Sequence, residues 1–300
     1  MKHSWHTITL LTGMFLLAQL IGLLIVEKYV DVEKTNELGM TTFKELPLGI
    51  ERPEVEEETS FVYLTLMLLI GTGLILLLIR FRAHLLWKFW YFSALFITLT
   101  IGFGAFISSS LASLCALVIA VWRSIRPHFI VNNFSELFVY GGIAAVLVPV
   151  MNVTSMLLVL FIVSLYDMYA VWKSKHMIAL AQFQASGKSF AGLFVPSKTM
   201  HGRKKFEVRP GNLTKRRTSG KGMGGAVIGG GDIAFPLLFA GIVLKTFGFL
   251  FAIPISLGAT VALLLLFIYG QKNKFYPALP FLSVGCLVGY GVVLLLHFFF

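Results

Sequence analysis

The 300-residue chain is 57% hydrophobic and 13% charged, with a mean hydropathy of +0.84, which excludes a soluble globular fold because that much apolar surface does not fit inside one core. Its net charge of +11 is strongly basic, but the basic residues lie between apolar runs rather than along a groove with interleaved aromatics, so nucleic acid is excluded as partner. Only Cys115 and Cys286 occur, both inside apolar runs, and neither a disulfide framework nor a cysteine metal site is expected.

Runs long enough to cross an apolar layer of about 30 Å fall near residues 8–26, 61–79, 86–107, 108–122, 134–151, 153–172, 226–247, 249–268 and 276–298. The chain is therefore expected to be an all-α polytopic membrane protein with nine transmembrane helices. The first run has the position of a signal peptide, but it lacks a small-residue cleavage site and has the length of a retained span. Only Ser108-Ser-Ser110 separates the third and fourth runs. Charge placement orients the bundle. With the N-terminus cytoplasmic, 20 of the 25 basic residues fall in inner segments, and Lys28, Lys34, Lys44, Arg52 and Lys245 fall outside. The C-terminus is then extracellular.

Three parts follow: residues 1–172 with six spans, a basic inner loop over 173–225, and residues 226–300 with three spans. The loop holds Gly187-Lys188-Ser189, which mimics the end of a phosphate-binding loop, but position 182 is Gln and no strand precedes it, so a flexible connector is the better reading. The matches at Asn133, Asn152 and Asn212 to the glycosylation pattern lie at span ends or on the inner side and are set aside.

Two carboxylates stand well inside the predicted spans, Asp167 in the sixth and Asp232 in the seventh. A charge at bilayer depth costs at least a few kcal/mol and is by default a functional group with a partner. Each aspartate lies six residues from the inner end of its span, so at about 1.5 Å per residue both are placed roughly 9 Å from the inner surface. Two carboxyls within hydrogen-bonding reach share a proton as a coupled dyad. That is aspartic-protease chemistry: one carboxylate takes a proton from the attacking water while the protonated partner polarises the scissile carbonyl, with no metal or cofactor. Gly229, Gly230 and Gly231 carry no side chains and let water and a peptide backbone approach Asp232, and Pro236 leaves the Asp232 carbonyl without its helical donor. Tyr166 is a candidate to orient Asp167.

Tyr166-Asp167, Gly229-Gly-Gly-Asp232 and Pro277-Ala278-Leu279, in this order on the sixth, seventh and last spans, resemble the YD, GxGD and PAL motifs of the presenilin and signal peptide peptidase family, and in particular its archaeal presenilin homologues. The resemblance covers nearly the whole chain. It implies a presenilin-like fold and a single-chain intramembrane aspartyl endopeptidase that cuts transmembrane protein or peptide substrates within the bilayer. It further implies that Asp167 and Asp232 are catalytic, that Pro277, Ala278 and Leu279 pack beside them and shape the cleavage site, and that a strand before the GxGD span holds substrate. No obligatory partner subunit is implied, and homo-oligomers are left open. Gly230 departs from the pattern, since presenilins usually carry Leu there, at a position that bears on substrate preference. The rival class is a proton- or cation-coupled transporter using the same aspartates, but no inverted repeat supports it. Neither His-Glu-x-x-His nor Gly-x-Ser-x-Gly occurs to support a zinc or serine protease.

Overall fold

The computed structural model describes residues 5–81, 83–126, 128–174, 191–196, 225–270 and 276–299. Nine apolar helices run through these residues: α1 (Trp5–Lys28), α3 (Ser60–Arg80), α4 (His84–Gly104), α5 (Ser109–Ile125), α6 (Phe129–Leu147), α7 (Val153–Tyr169), α8 (Gly230–Phe247), α9 (Phe249–Tyr269) and α10 (Ala278–Phe299). A short α2 (Val32–Leu38) lies between α1 and α3. Eight of the nine are long and apolar enough to span a membrane, and α5 is shorter at 17 residues, about 25 Å of helix. Most of the basic 173–225 loop, including Gly187 to Ser189, lies outside the described residues.

The helix ends follow from local chemistry. The Asn152 side chain accepts the Ser155 N–H at 2.8 Å and starts α7, while Gly248, at φ +98, turns the chain from α8 into α9 within one residue. In lipid, apolar surface alone does not hold helices together, so close backbone contact matters more. A Cβ on Gly258 would lie 2.2 Å from the Gly285 carbonyl oxygen, which means that α9 and α10 touch backbone to backbone. The most enclosed helix is α8, 61% buried against 11% for α3, and it packs on α1, α6, α7, α9 and α10. Phe15, Met156, Leu237 and Phe239 fill the centre.

The segment between α1 and α3 is strapped over one end of this bundle. Tyr29 Oη donates to the Ile101 carbonyl at 2.8 Å, Arg52 Nε to Ala145 at 3.2 Å, and Ser155 Oγ to Glu57 at 2.6 Å. Lys245 pairs with the Glu57 carboxylate and donates to the carbonyls of Pro149 and Met151 at 3.0 and 3.1 Å. Lys245 was expected in a loop and is instead the last-turn cation of α8, where it meets these carbonyls and Glu57.

Several spans begin or end differently from the sequence expectation. The seventh was expected from residue 226, but residues 225–229 form a strand and α8 begins at Gly230, because a Gly-rich stretch gains little from helix. The fifth was expected from 134, yet α6 begins at Phe129. Arg123, expected in an inner loop, lies in the last turns of α5 and is 3% exposed.

The strand β2 (Gly225–Gly229) pairs antiparallel with β1 (Gly192–Pro196), with Leu193 opposite Ile228, Phe194 opposite Val227 and Val195 opposite Ala226. The outer edge of β1 is occupied by α6: Asn133 Nδ2 donates to the Phe194 carbonyl at 2.7 Å, the Phe194 N–H donates to Asn133 Oδ1 at 3.0 Å, and Asn132 Nδ2 donates to the Gly192 carbonyl at 2.9 Å. Backbone groups alternate sides along a strand. Since those of Phe194 face α6, the ladder to β2 runs through Leu193 and Val195, and the N–H and C=O of Val227 face away from β1.

Candidate active site

Asp167 projects from the last turns of α7 and is buried. Its Oδ2 accepts the Leu279 N–H at 3.1 Å, and the Ala278 N–H lies close to the same carboxyl. These are first-turn amides of α10, which no intrahelical carbonyl can satisfy, so a carboxylate from the neighbouring helix completes them. Pro277, which lacks a donor, stands immediately before that turn and is buried, while Leu279 is buried against the site. One turn away on each helix, Ser164 and Ser283 share a hydrogen bond of 2.9 Å that holds α7 and α10 at this spacing. The PAL segment thus meets Asp167 through its backbone. Tyr166 is half-buried on α7, but adjacent helical residues do not share a face.

Asp232 is the third residue of α8 and half-buried. The Gly229 N–H lies close to its carboxyl, and a Cβ on Gly229 would come within 3.3 Å of Oδ2. The three glycines are not equivalent. A Cβ on Gly230 would meet Tyr140 Oη at 3.0 Å, whereas one on exposed Gly231 would find only the Phe235 ring at 3.6 Å, an ordinary contact. Pro236 denies the Asp232 carbonyl its helical donor, and the next carbonyl, of Ile233, accepts a buried hydrogen bond of 2.9 Å from Gln19 Nε2 on α1.

The helices that carry the two aspartates, α7 and α8, pack against each other, and Asp167 is near enough to Asp232 for its charge to be felt there. The Gly229 N–H reaches the Asp232 carboxyl from the same side of β2 on which the Val227 groups point, since residues 227 and 229 share an edge. Among the described residues nothing pairs with this edge of β2, which leads to Asp232. Among the described residues no three His, Cys, Asp or Glu side chains converge on a point that could hold a metal ion.

Sequence reasoning missed several polar residues around this site. Glu136 was expected near a span end, but it is eight residues into α6, 1% exposed, paired with Arg123 and accepting the Tyr140 hydroxyl. It is thus a third carboxylate inside the bundle, where only two were expected. Gln19 stands as a lone amide in an apolar run, and Asn133 was set aside as a glycosylation-pattern match at a span end.

The family profile described as signal-peptide peptidase, presenilin aspartyl protease matches residues 12–298. Two solved structures of a presenilin family intramembrane aspartate protease are similar in fold. The one in space group C222 has a TM-score of 0.62 at 19% identity and covers 96% of this chain and 99% of its own. The one in space group P2 has a TM-score of 0.61 at 19% identity and covers 98% and 100%. No curated protein sequence matches the chain.

Proposed function

The chain belongs to the signal-peptide peptidase and presenilin aspartyl protease family, so it is a multi-pass membrane protease, and from that premise we propose that Asp167 and Asp232 are its catalytic dyad. The observation that carries the reading is their convergence from α7 and α8, with the first-turn amides of α10 on Asp167 and the Gly229 amide on Asp232. Family membership sets the transport reading of the same aspartates aside.

In the singly protonated pair, one carboxylate removes a proton from water as its oxygen attacks the scissile carbonyl carbon. The other gives its proton to the carbonyl oxygen. Collapse of the tetrahedral diol breaks the C–N bond as the carboxyl that took the water proton gives it to the leaving nitrogen and the other takes back a diol proton, so the products are a new carboxyl, a new amine and the singly protonated pair. Pro277, Ala278 and Leu279 place the amides that orient Asp167, and Gly229 and Gly231 keep the approach to Asp232 open.

A helical substrate hides its amides in internal hydrogen bonds and must unwind before cleavage, after which its exposed backbone needs partners in lipid. The edge at Val227 supplies one N–H and one C=O, and Gly229 is two residues, about 7 Å, further along the same edge. A substrate strand added at Val227 thus runs on to the Asp232 carboxyl. The excess of basic residues in the inner segments supports an orientation with the N-terminus and the dyad end of the bundle on the cytoplasmic side.

Purified protein in detergent, incubated with a membrane-spanning peptide and read by product masses, tests the reaction and locates the bond. The initial rate should pass through a maximum at or on the acid side of neutrality. It falls toward acid as both carboxyls hold protons and toward alkali as neither does. A rate that keeps rising into alkaline pH and is abolished by chelators would mean metal-activated water instead.

A further inference from the structure

Arg123 on α5 and Glu136 on α6 form an ion pair with 3% and 1% of their surface exposed. Arg123 Nη1 also donates to Ser135 Oγ at 2.7 Å, and its guanidinium lies 5.3 Å from the centre of the Tyr91 ring on α4. The other oxygen of Glu136 accepts the Tyr140 hydroxyl. A buried ion pair is a poor stabiliser, because desolvation offsets most of its attraction and apolar residues of equal volume often do as well. It is well suited to holding a neighbour in one geometry.

The last member of the row shows which geometry is held. Tyr140 is 3% exposed, and its phenol occupies the space where a side chain at position 230 would stand, 3.0 Å from Oη and 3.3 Å from the ring. Gly230 opens α8 two residues before Asp232. Gly229, Gly230 and Gly231 give this turn no side-chain anchor, and glycine has the greatest backbone freedom of any residue. We infer that Tyr140 is a positioning residue for Asp232: held by Glu136 and Arg123, it rests on the bare Cα of Gly230 and keeps the glycine turn where it delivers the carboxyl to Asp167. The inference rests on the dyad reading, and Tyr140 acts through the backbone without touching substrate.

The test uses steric complementarity in the full-length protein. Gly230→Ala puts a methyl against the Tyr140 hydroxyl and should lower kcat about tenfold or more with KM little changed, because sub-ångström displacement of a reacting group is costly. Tyr140→Phe removes that oxygen and should cost only a few-fold, since the ring still covers Gly230. Tyr140→Phe/Gly230→Ala should then be faster than Gly230→Ala alone, with the gain in kcat and the thermal midpoints of the two variants alike. A double variant no faster than Gly230→Ala, or a rescue that merely follows the melting temperature, would overturn the assignment. Asp232→Asn, run alongside, separates the two readings: its activity would overturn both, whereas an inactive Asp232→Asn with no rescue in the double variant would overturn only the role of Tyr140.

Discussion

Asp167→Asn and Asp232→Asn should each abolish cleavage of a membrane-spanning peptide while leaving the protein folded. A dyad with one carboxyl can neither share a proton nor divide the acid and base roles, and loss of general acid–base catalysis alone is worth about 10²–10⁴-fold. The fold should tolerate both changes. An asparagine oxygen at 167 can still accept the Leu279 N–H, one at 232 can still accept the Gly229 N–H, and a neutral amide is easier to bury at bilayer depth than an ionisable group. Melting temperatures should therefore stay level or rise slightly, and product masses should show no cleavage. More than a trace of activity in either variant removes the dyad.

Val227→Pro should cut cleavage sharply, and Val227→Ala should matter little. The contrast is clean because the Val227 N–H faces away from β1, so proline removes no ladder bond between the strands. Proline also biases the preceding residue toward extended backbone, which Ala226 already has in β2. What it removes is one donor on the edge of β2 that faces away from β1. A single hydrogen bond is worth about 0.5–1.5 kcal/mol in ordinary surroundings, and an amide left bare in lipid costs several, so a loss of about tenfold or more is expected. The side chain itself is 37% exposed and contributes little packing that alanine would lose. Equal rates for the two variants on one substrate would sink the strand-addition reading and leave the dyad untouched.

The three motifs were legible because each combines a residue type with a position. Asp167 and Asp232 are expensive where they stand, and Pro277 opens a helix after a polar break. The count of nine apolar helices was legible too, whereas the apolar run alone put the start of the seventh span at 226 and only the resemblance pointed to a strand before it. Glu136 was not, for a physical reason. Asn132 and Asn133 made the chain look polar up to residue 133, but their amides are used on the carbonyls of Gly192 and Phe194 more than 55 residues away, so they belong inside a helix. No local pattern reveals a partner at that separation. Arg123 was misread by the same route: a cation at a helix end looks like a topology signal until its carboxylate is found across a short connection. Tyr140 carries no signal in sequence at all, because its role depends on what Gly230 lacks.

The amides on Asp167 belong to the start of α10, and Asp232 stands in the first turn of α8. Both carboxyls therefore sit at the positive ends of helix dipoles, each end equivalent to roughly half an elementary charge, and among the described residues neither is paired with a lysine or arginine, so peptide units supply this field. Such a field is indifferent to side-chain identity. Truncating Leu279 to alanine changes the shape of the cleft but leaves this electrostatic contribution in place, so alanine scanning would attribute to two aspartates what two aspartates and two helix termini do together. Only changes to the main chain, such as an ester in place of the amide at Leu279, would expose the share carried by residues that look chemically inert.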